Sequence, residues 1–195
     1  LLDAVKARLA SHSRCLVALA GPPGAGKSTL AATLVRSFPA GTAKILPMDG
    51  FHYDNPVLDE LGLRARKGAP ETFDFAGFAV TLQRIRQGEP AVAVPLFDRE
   101  ADLARAAASI IHSDVKVIVV EGNYLLLDRE PWNGLAKYFD LTAFLDVPRD
   151  ELKQRLMDRW LNLGYTPSKA QHWVDTNDMP NVDLVLSSRL AADFS

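Results

Sequence analysis

Apolar positions in this chain follow two rhythms that alternate along its length. Short aliphatic and β-branched runs at Cys15–Ala20, Lys44–Met48, Val115–Val120 and Leu141–Val147 predict buried strands. Between them the apolar residues recur at helical spacing. Leu2, Val5 and Leu9 predict a helix over 2–10, and Lys27 to Phe38 predicts a second. Phe75, Phe78, Ala79, Leu82 and Ile85 predict a third, stopped at Gly88. Leu152, Leu156, Trp160 and Leu163 mark the apolar stripe of a helix over 149–163, and 168–176 predicts one more. Ala91–Val94 and Val182–Leu186 read as two further strands, the second closing the sheet. Residues 51–74 show little periodicity and read as a loop with one helical turn.

No repeat, low-complexity tract or linker interrupts this pattern, so residues 1–195 are expected to form a single domain. Strands alternating with helices predict an α/β fold, a parallel sheet covered on both faces. In such sheets ligands bind beyond the carboxyl ends of the strands. Three segments with chemistry follow strand ends: 21–29, Asp49 and Glu121.

Composition narrows the function classes. A hydrophobic content of 48% excludes a disordered chain, and a net charge of −2 gives no basic face for nucleic acid. No apolar run approaches the roughly 20 residues of a membrane span, so no membrane partner is expected. Cys15 is the single cysteine and cannot staple the fold, which fits a cytoplasmic setting. Because the chain starts at Leu1 and not at a methionine, its starting point says nothing about a targeting segment.

The most specific signal is Gly21-Pro22-Pro23-Gly24-Ala25-Gly26-Lys27-Ser28-Thr29, which fits G-x-x-x-x-G-K-[ST], the phosphate-binding loop. Its glycines let successive N–H groups point at phosphate oxygens, and the following helix adds a partial positive charge. Lys27 is expected at the β- and γ-phosphates and Ser28 on Mg²⁺. Asp49 is a candidate general base, weighed against an ordinary turn aspartate before glycine. Glu121 is a candidate metal carboxylate. Arg155 and Arg159 lie at the edge of the helical stripe and within it, and are expected to meet the transferring phosphoryl. An ion pair with Asp158 or Asp175 is the alternative. Arg64, Arg66 and Lys67 form a basic loop cluster. His52 is the histidine nearest the site; His12, His112 and His172 have no metal-ligand spacing, and Trp132 and Trp173 are expected to pack.

Together these segments resemble the phosphoribulokinase, uridine kinase and pantothenate kinase superfamily. The matching runs are Gly21–Thr29, Met48–Asn55, Arg66–Asp74, Val94–Arg99 and Val119–Leu126. Within it the chain is similar to small bacterial proteins labelled fructose transport system kinases or nucleoside triphosphate hydrolase domain proteins. The resemblance implies a three-layer P-loop fold with a central, mostly parallel five-stranded sheet and a helical lid over about 155–180. It implies ATP and Mg²⁺, Asp49 as base and Glu121 at the metal. It also implies Lys67 on the substrate side, Arg155 and Arg159 as lid arginines, and Asn177 and Asn181 bordering the adenine. The acceptor implied is a small hydroxyl compound, a sugar such as fructose by that label, with pantothenate or a nucleoside as alternatives. Pro95-Leu96-Phe97-Asp98-Arg99 departs from the Pro-x-Tyr runs of uridine and pantothenate kinases, and Phe97 and Arg99 then face the acceptor. Arg99 suits an anionic or polyhydroxylated one. A nucleotide-switched regulator or acceptor-independent ATPase is the competing class, and a monomer or homodimer is expected.

Overall fold

The computed structural model describes residues 1–195. In chain order its elements are α1 (Leu2–Ser11), β1 (Cys15–Ala20), α2 (Lys27–Arg36), β2 (Ala43–Pro47), α3 (Asn55–Glu60) and α4 (Phe75–Arg86). Then follow β3 (Ala91–Asp98), β4 (Leu103–His112), β5 (Val117–Gly122), β6 (Leu141–Phe144), α5 (Arg149–Asn162), α6 (Pro167–Trp173) and α7 (Met179–Ser187).

Four parallel strands in the order β2-β5-β1-β6 make the central sheet. Side chains alternate across it. Leu16, Ala18, Ile118, Val120, Leu46 and Met48 face α4, whose Phe78, Leu82 and Ile85 are fully buried against them. Cys15, Val17, Leu19, Val117 and Val119 face the other way, onto Val5 of α1 and Ala31 and Leu34 of α2. The predicted α/β layering is therefore present, and no helix is long and apolar enough to cross a membrane.

Two strand expectations are corrected. Val182–Leu186 lies within α7, not in a strand. Its apolar run is too short to separate the two periods by itself. Pro180 starts the helix, and Val182 joins Met179 and Val174 against Leu152, Leu156 and Ala25. The sheet consequently has four strands instead of five, and beyond β6 there is only a single bridge from Ala143 to Phe194. The second correction is an addition. The strand expected at 91–94 runs to Asp98 and pairs antiparallel with β4, which had no strand signal. β4 is mostly exposed and alanine-rich, so it lacks the buried alternation that announces a strand.

Candidate active site

Strand register brings the three chemical segments together. In the sheet Ala20 lies opposite Gly122, and Pro47 opposite Glu121, so the ends of β1, β2 and β5 are level. The loop 21–26 leaves β1, Glu121 closes β5, and Asp49 follows β2 by two residues within the 3₁₀ turn Met48–Phe51. Two glycines permit this closeness. A β-carbon on Gly122 would lie 2.5 Å from the Met48 side chain, and one on Gly50 would lie 2.5 Å from the Pro95 carbonyl oxygen. Asp49-Gly50 is thus more than a turn pairing, because Gly50 admits the β3 backbone beside Asp49.

The loop ends at Gly26 with φ +91°, and α2 begins without a side-chain cap, leaving its first N–H groups free for an anion. Lys27 is buried, and its Nζ donates to the Pro22 carbonyl (2.9 Å) and to Oδ1 of Asn123 (2.7 Å). Burial pulls its pKa down to about 8, against the opposing pull of Glu121 and Asp49. Glu121 is buried too, and desolvation and Asp49 raise its pKa, while Lys27 and the Ser28 hydroxyl act the other way. A buried carboxylate, a serine hydroxyl and no cluster of three metal-binding side chains is a set suited to Mg²⁺, which takes few protein oxygens and completes its shell with phosphate and water.

Asp49 is partly exposed and pairs with Arg99 at 3.2 Å. His52 Nδ1 lies 2.8 Å from the Asp49 carbonyl oxygen, and its ring packs between Phe73 (3.9 Å) and Phe97 (4.9 Å). Burial lowers the His52 pKa, against the opposing pull of Asp49. Lys67 Nζ donates to Asn55 Oδ1 (2.7 Å), pairs with the Asp102 carboxylate (2.9 Å) and stands 5.3 Å from the Phe97 ring. The tip of the β3–β4 hairpin therefore touches both Asp49 and Lys67.

Of the two helix arginines, Arg155 donates to the Gly24 carbonyl at 3.2 Å and pairs with Glu151. Arg159 has no carboxylate partner. Its guanidinium lies 5.7 Å from the Trp160 ring, and desolvation and Arg99 lower its pKa. Neither arginine pairs with Asp158 or Asp175; Asp175 takes Lys153 instead. Both arginines are exposed, because the buried stripe of α5 consists of Leu152 and Leu156 and fades toward an exposed Leu163. The segment 155–180 rests on the phosphate loop through Leu156, Val174 and Met179 around Ala25. Asn177 and Asn181 are buried, but Asn177 Nδ2 donates to the Lys67 carbonyl and Asn181 Nδ2 to the Asn177 carbonyl. Their amides tie this segment to the Lys67 loop.

Three participants escaped sequence reasoning: Asn123, Asn55 and Asp102. Asn123 follows Glu121-Gly122 directly and could have been found there. Nothing local marks Asn55 or Asp102, which reach Lys67 only through the fold.

A phosphate loop at the head of a parallel sheet, with carboxylates on the neighbouring strand ends and arginines above, defines a nucleotide-using P-loop kinase. A family model described as "Phosphoribulokinase / Uridine kinase family" matches residues 16–168. The chain belongs to that family. It is 38% identical over 185 residues to the uncharacterized protein YggC of Escherichia coli (strain K12), covering 93% of this chain and 76% of that one. It is 34% identical over 199 residues to a provisionally named uridine kinase, C227.14, of Schizosaccharomyces pombe (strain 972 / ATCC 24843), covering 95% and 84%. A crystal structure of a provisionally named fructose transport system kinase from Silicibacter sp. TM1040 superposes with a TM-score of 0.87 at 39% identity, covering 99% of this chain and 97% of that one.

Proposed function

We propose that this kinase transfers the γ-phosphoryl group of Mg·ATP to a hydroxyl of a small metabolite. The observation that carries the reading is the placement of Asp49 and Glu121 on the neighbouring ends of β2 and β5, both acting electrostatically on Lys27. Two carboxylates, one buried beside Ser28 and one partly exposed beside Arg99 and His52, divide the work between metal and acceptor.

Ser28 and Glu121 would hold Mg²⁺, which when bound would supply positive charge against that of the triphosphate. The chain's own residues do the rest. Loop amides and Lys27 cradle the phosphates, Lys27 leaving its resting bonds to Pro22 and Asn123. Asp49 takes the acceptor proton as the hydroxyl oxygen bonds to the γ-phosphorus. The bond from that phosphorus to the bridging oxygen breaks, and ADP leaves with the electron pair. Arg159, which has no carboxylate partner, meets the charge on the transferring group, and Arg155 steadies the loop at Gly24.

The test is ADP release with Mg·ATP across sugars (fructose among them), sugar phosphates, pantothenate and nucleosides, with Asp49→Asn beside the parent. Release that depends on an acceptor and falls about 10²–10⁴-fold in the variant is expected, with ATP affinity retained. Phosphate release indifferent to every acceptor would instead make the protein an ATPase or switch. Loss of ATP affinity in the variant would make Asp49 a metal or structural residue.

A further inference from the structure

The turn joining β3 to β4 carries two charges that close on the acceptor recess. Arg99 pairs with Asp49 at 3.2 Å, and three residues later Asp102 pairs with Lys67 at 2.9 Å. The Asp102 carboxylate also accepts from Asn55 Nδ2 at 3.1 Å, and Lys67 Nζ donates to the Asp102 carbonyl at 2.8 Å. The Lys67 side chain is only 10% exposed, whereas that of Asp102 is 55% exposed. A nearly buried ammonium, a neighbouring amide and the Phe97 ring thus form a built anion subsite, and its occupant arrives from solvent on a turn. The Asp102 backbone has φ +53°, in the left-handed region that aspartate enters more readily than most residues.

We propose that Asp102 is a tethered stand-in for the acceptor's own anionic group, and that the acceptor is a hydroxy acid or a phosphorylated polyol. Resting on the kinase reading above, this narrows its substrate class. The acceptor's carboxylate or phosphate takes the donors of Lys67 and Asn55, and its hydroxyl takes Arg99's place at Asp49. One movement of residues 98–102 then frees both groups, so the base is released when a charged acceptor is present. A neutral sugar has nothing to exchange for Asp102, and Lys67 would be left unpaired in a desolvated site. If the turn is closed about nine-tenths of the time, the apparent affinity for the acceptor is reduced about tenfold, and removing Asp102 restores it.

The experiment compares matched pairs: glycerol with glycerate, glucose with gluconate, fructose with fructose 6-phosphate. Carboxylate and phosphate arms separate the two anion chemistries. ADP release is measured for the parent, Asp102→Ala and Lys67→Gln, and hydrogen exchange of the amides of 98–103 is followed with each compound. A charged member is expected to have a KM at least tenfold below its neutral partner. Asp102→Ala should lower that KM about tenfold with kcat little changed, and Lys67→Gln should raise it. The charged compound should speed exchange across 98–103 in the parent and not in Lys67→Gln. Turnover of neutral members alone, still dependent on Asp49, would overturn the anion subsite and leave the kinase standing. Accelerated exchange without acceptor-dependent ADP release would keep the subsite and count against phosphoryl transfer to these compounds. Exchange and turnover both unmoved by every carboxylate and phosphate would overturn the proposal.

Discussion

Lys27 shows how one residue can be held at a cost for a later task. Its ammonium is buried with two neutral acceptors, and its pKa falls to about 8 from 10.5 in the unfolded chain. The unfolded state therefore binds more protons between these values, and stability rises with pH through that window. Below pH 8 the full penalty is present. Lys27→Met is expected to abolish turnover while raising Tm at pH 7 by about 2–6 °C, a gain of order 1–2 kcal/mol. That gain should shrink from pH 8 to 10.5, as thermal melts across the range would show. Gly50 is the opposite case, a residue whose value is its missing side chain. Gly50→Ala would press a methyl on the Pro95 carbonyl, and overpacking of about 1–3 kcal/mol should lower Tm by about 4–10 °C. Its turnover should fall as well, since Asp49 adjoins the displaced backbone.

At the scale of elements, Asp140 binds three together. Its carboxylate, 2% exposed, accepts from Arg8 of α1 (3.2 Å), Arg86 of α4 (2.7 Å) and the Leu16 N–H of β1 (2.9 Å). Burial alone would raise its pKa, but the bonds from Arg86, Leu16 and Arg8 outweigh this and leave it lowered. A depressed carboxylate contributes stability above its unfolded pKa of 3.8 that is lost as pH falls below it. Asp140→Asn should cost about 1.5–3 kcal/mol in urea melts at pH 7, and the difference should close below pH 4. Elements were also where sequence reading was weakest. The stretch Val182–Leu186 satisfies either period, and its partners Leu152, Leu156 and Ala25 made it helical. β4 has a strand's geometry without a strand's pattern, because most of its residues face water and it pairs only with β3. By contrast β1, β5 and α4 were legible, being buried by periods long enough to read.

For the whole molecule, nucleotide binding and the 155–180 segment should act together. This segment packs on the phosphate loop at Ala25 and joins the Lys67 loop through Asn177, so it spans both halves of the crevice. Mg·ATP at one hundred times its Kd should add about 2.7 kcal/mol, or about 5–10 °C in Tm. Chelating the metal should remove most of that shift, and a shift unaffected by chelation would count against Ser28 and Glu121 as the metal's holders. Trp160, whose Nε1 donates to Asp178 at 2.6 Å and whose ring meets Trp173, should report closure by fluorescence. Trp132, fixed among Phe73, Phe75 and Tyr124, should stay silent.

The glycine-rich loop, the buried strands that lead into it, and the strand-end positions of Asp49 and Glu121 were legible in the chain alone. These are local properties, because chain direction and the period of burial follow from neighbours along the chain. Which side chains answer one another across the crevice emerges in the folded molecule. Arg99 on Asp49, Asp102 on Lys67 and Asn123 on Lys27 all join residues tens of positions apart. Such pairings arise from strand register and hairpin placement, which no local pattern encodes. The loop after β1 was therefore readable from one continuous motif, and the pairings around Asp49 and Lys67 were not.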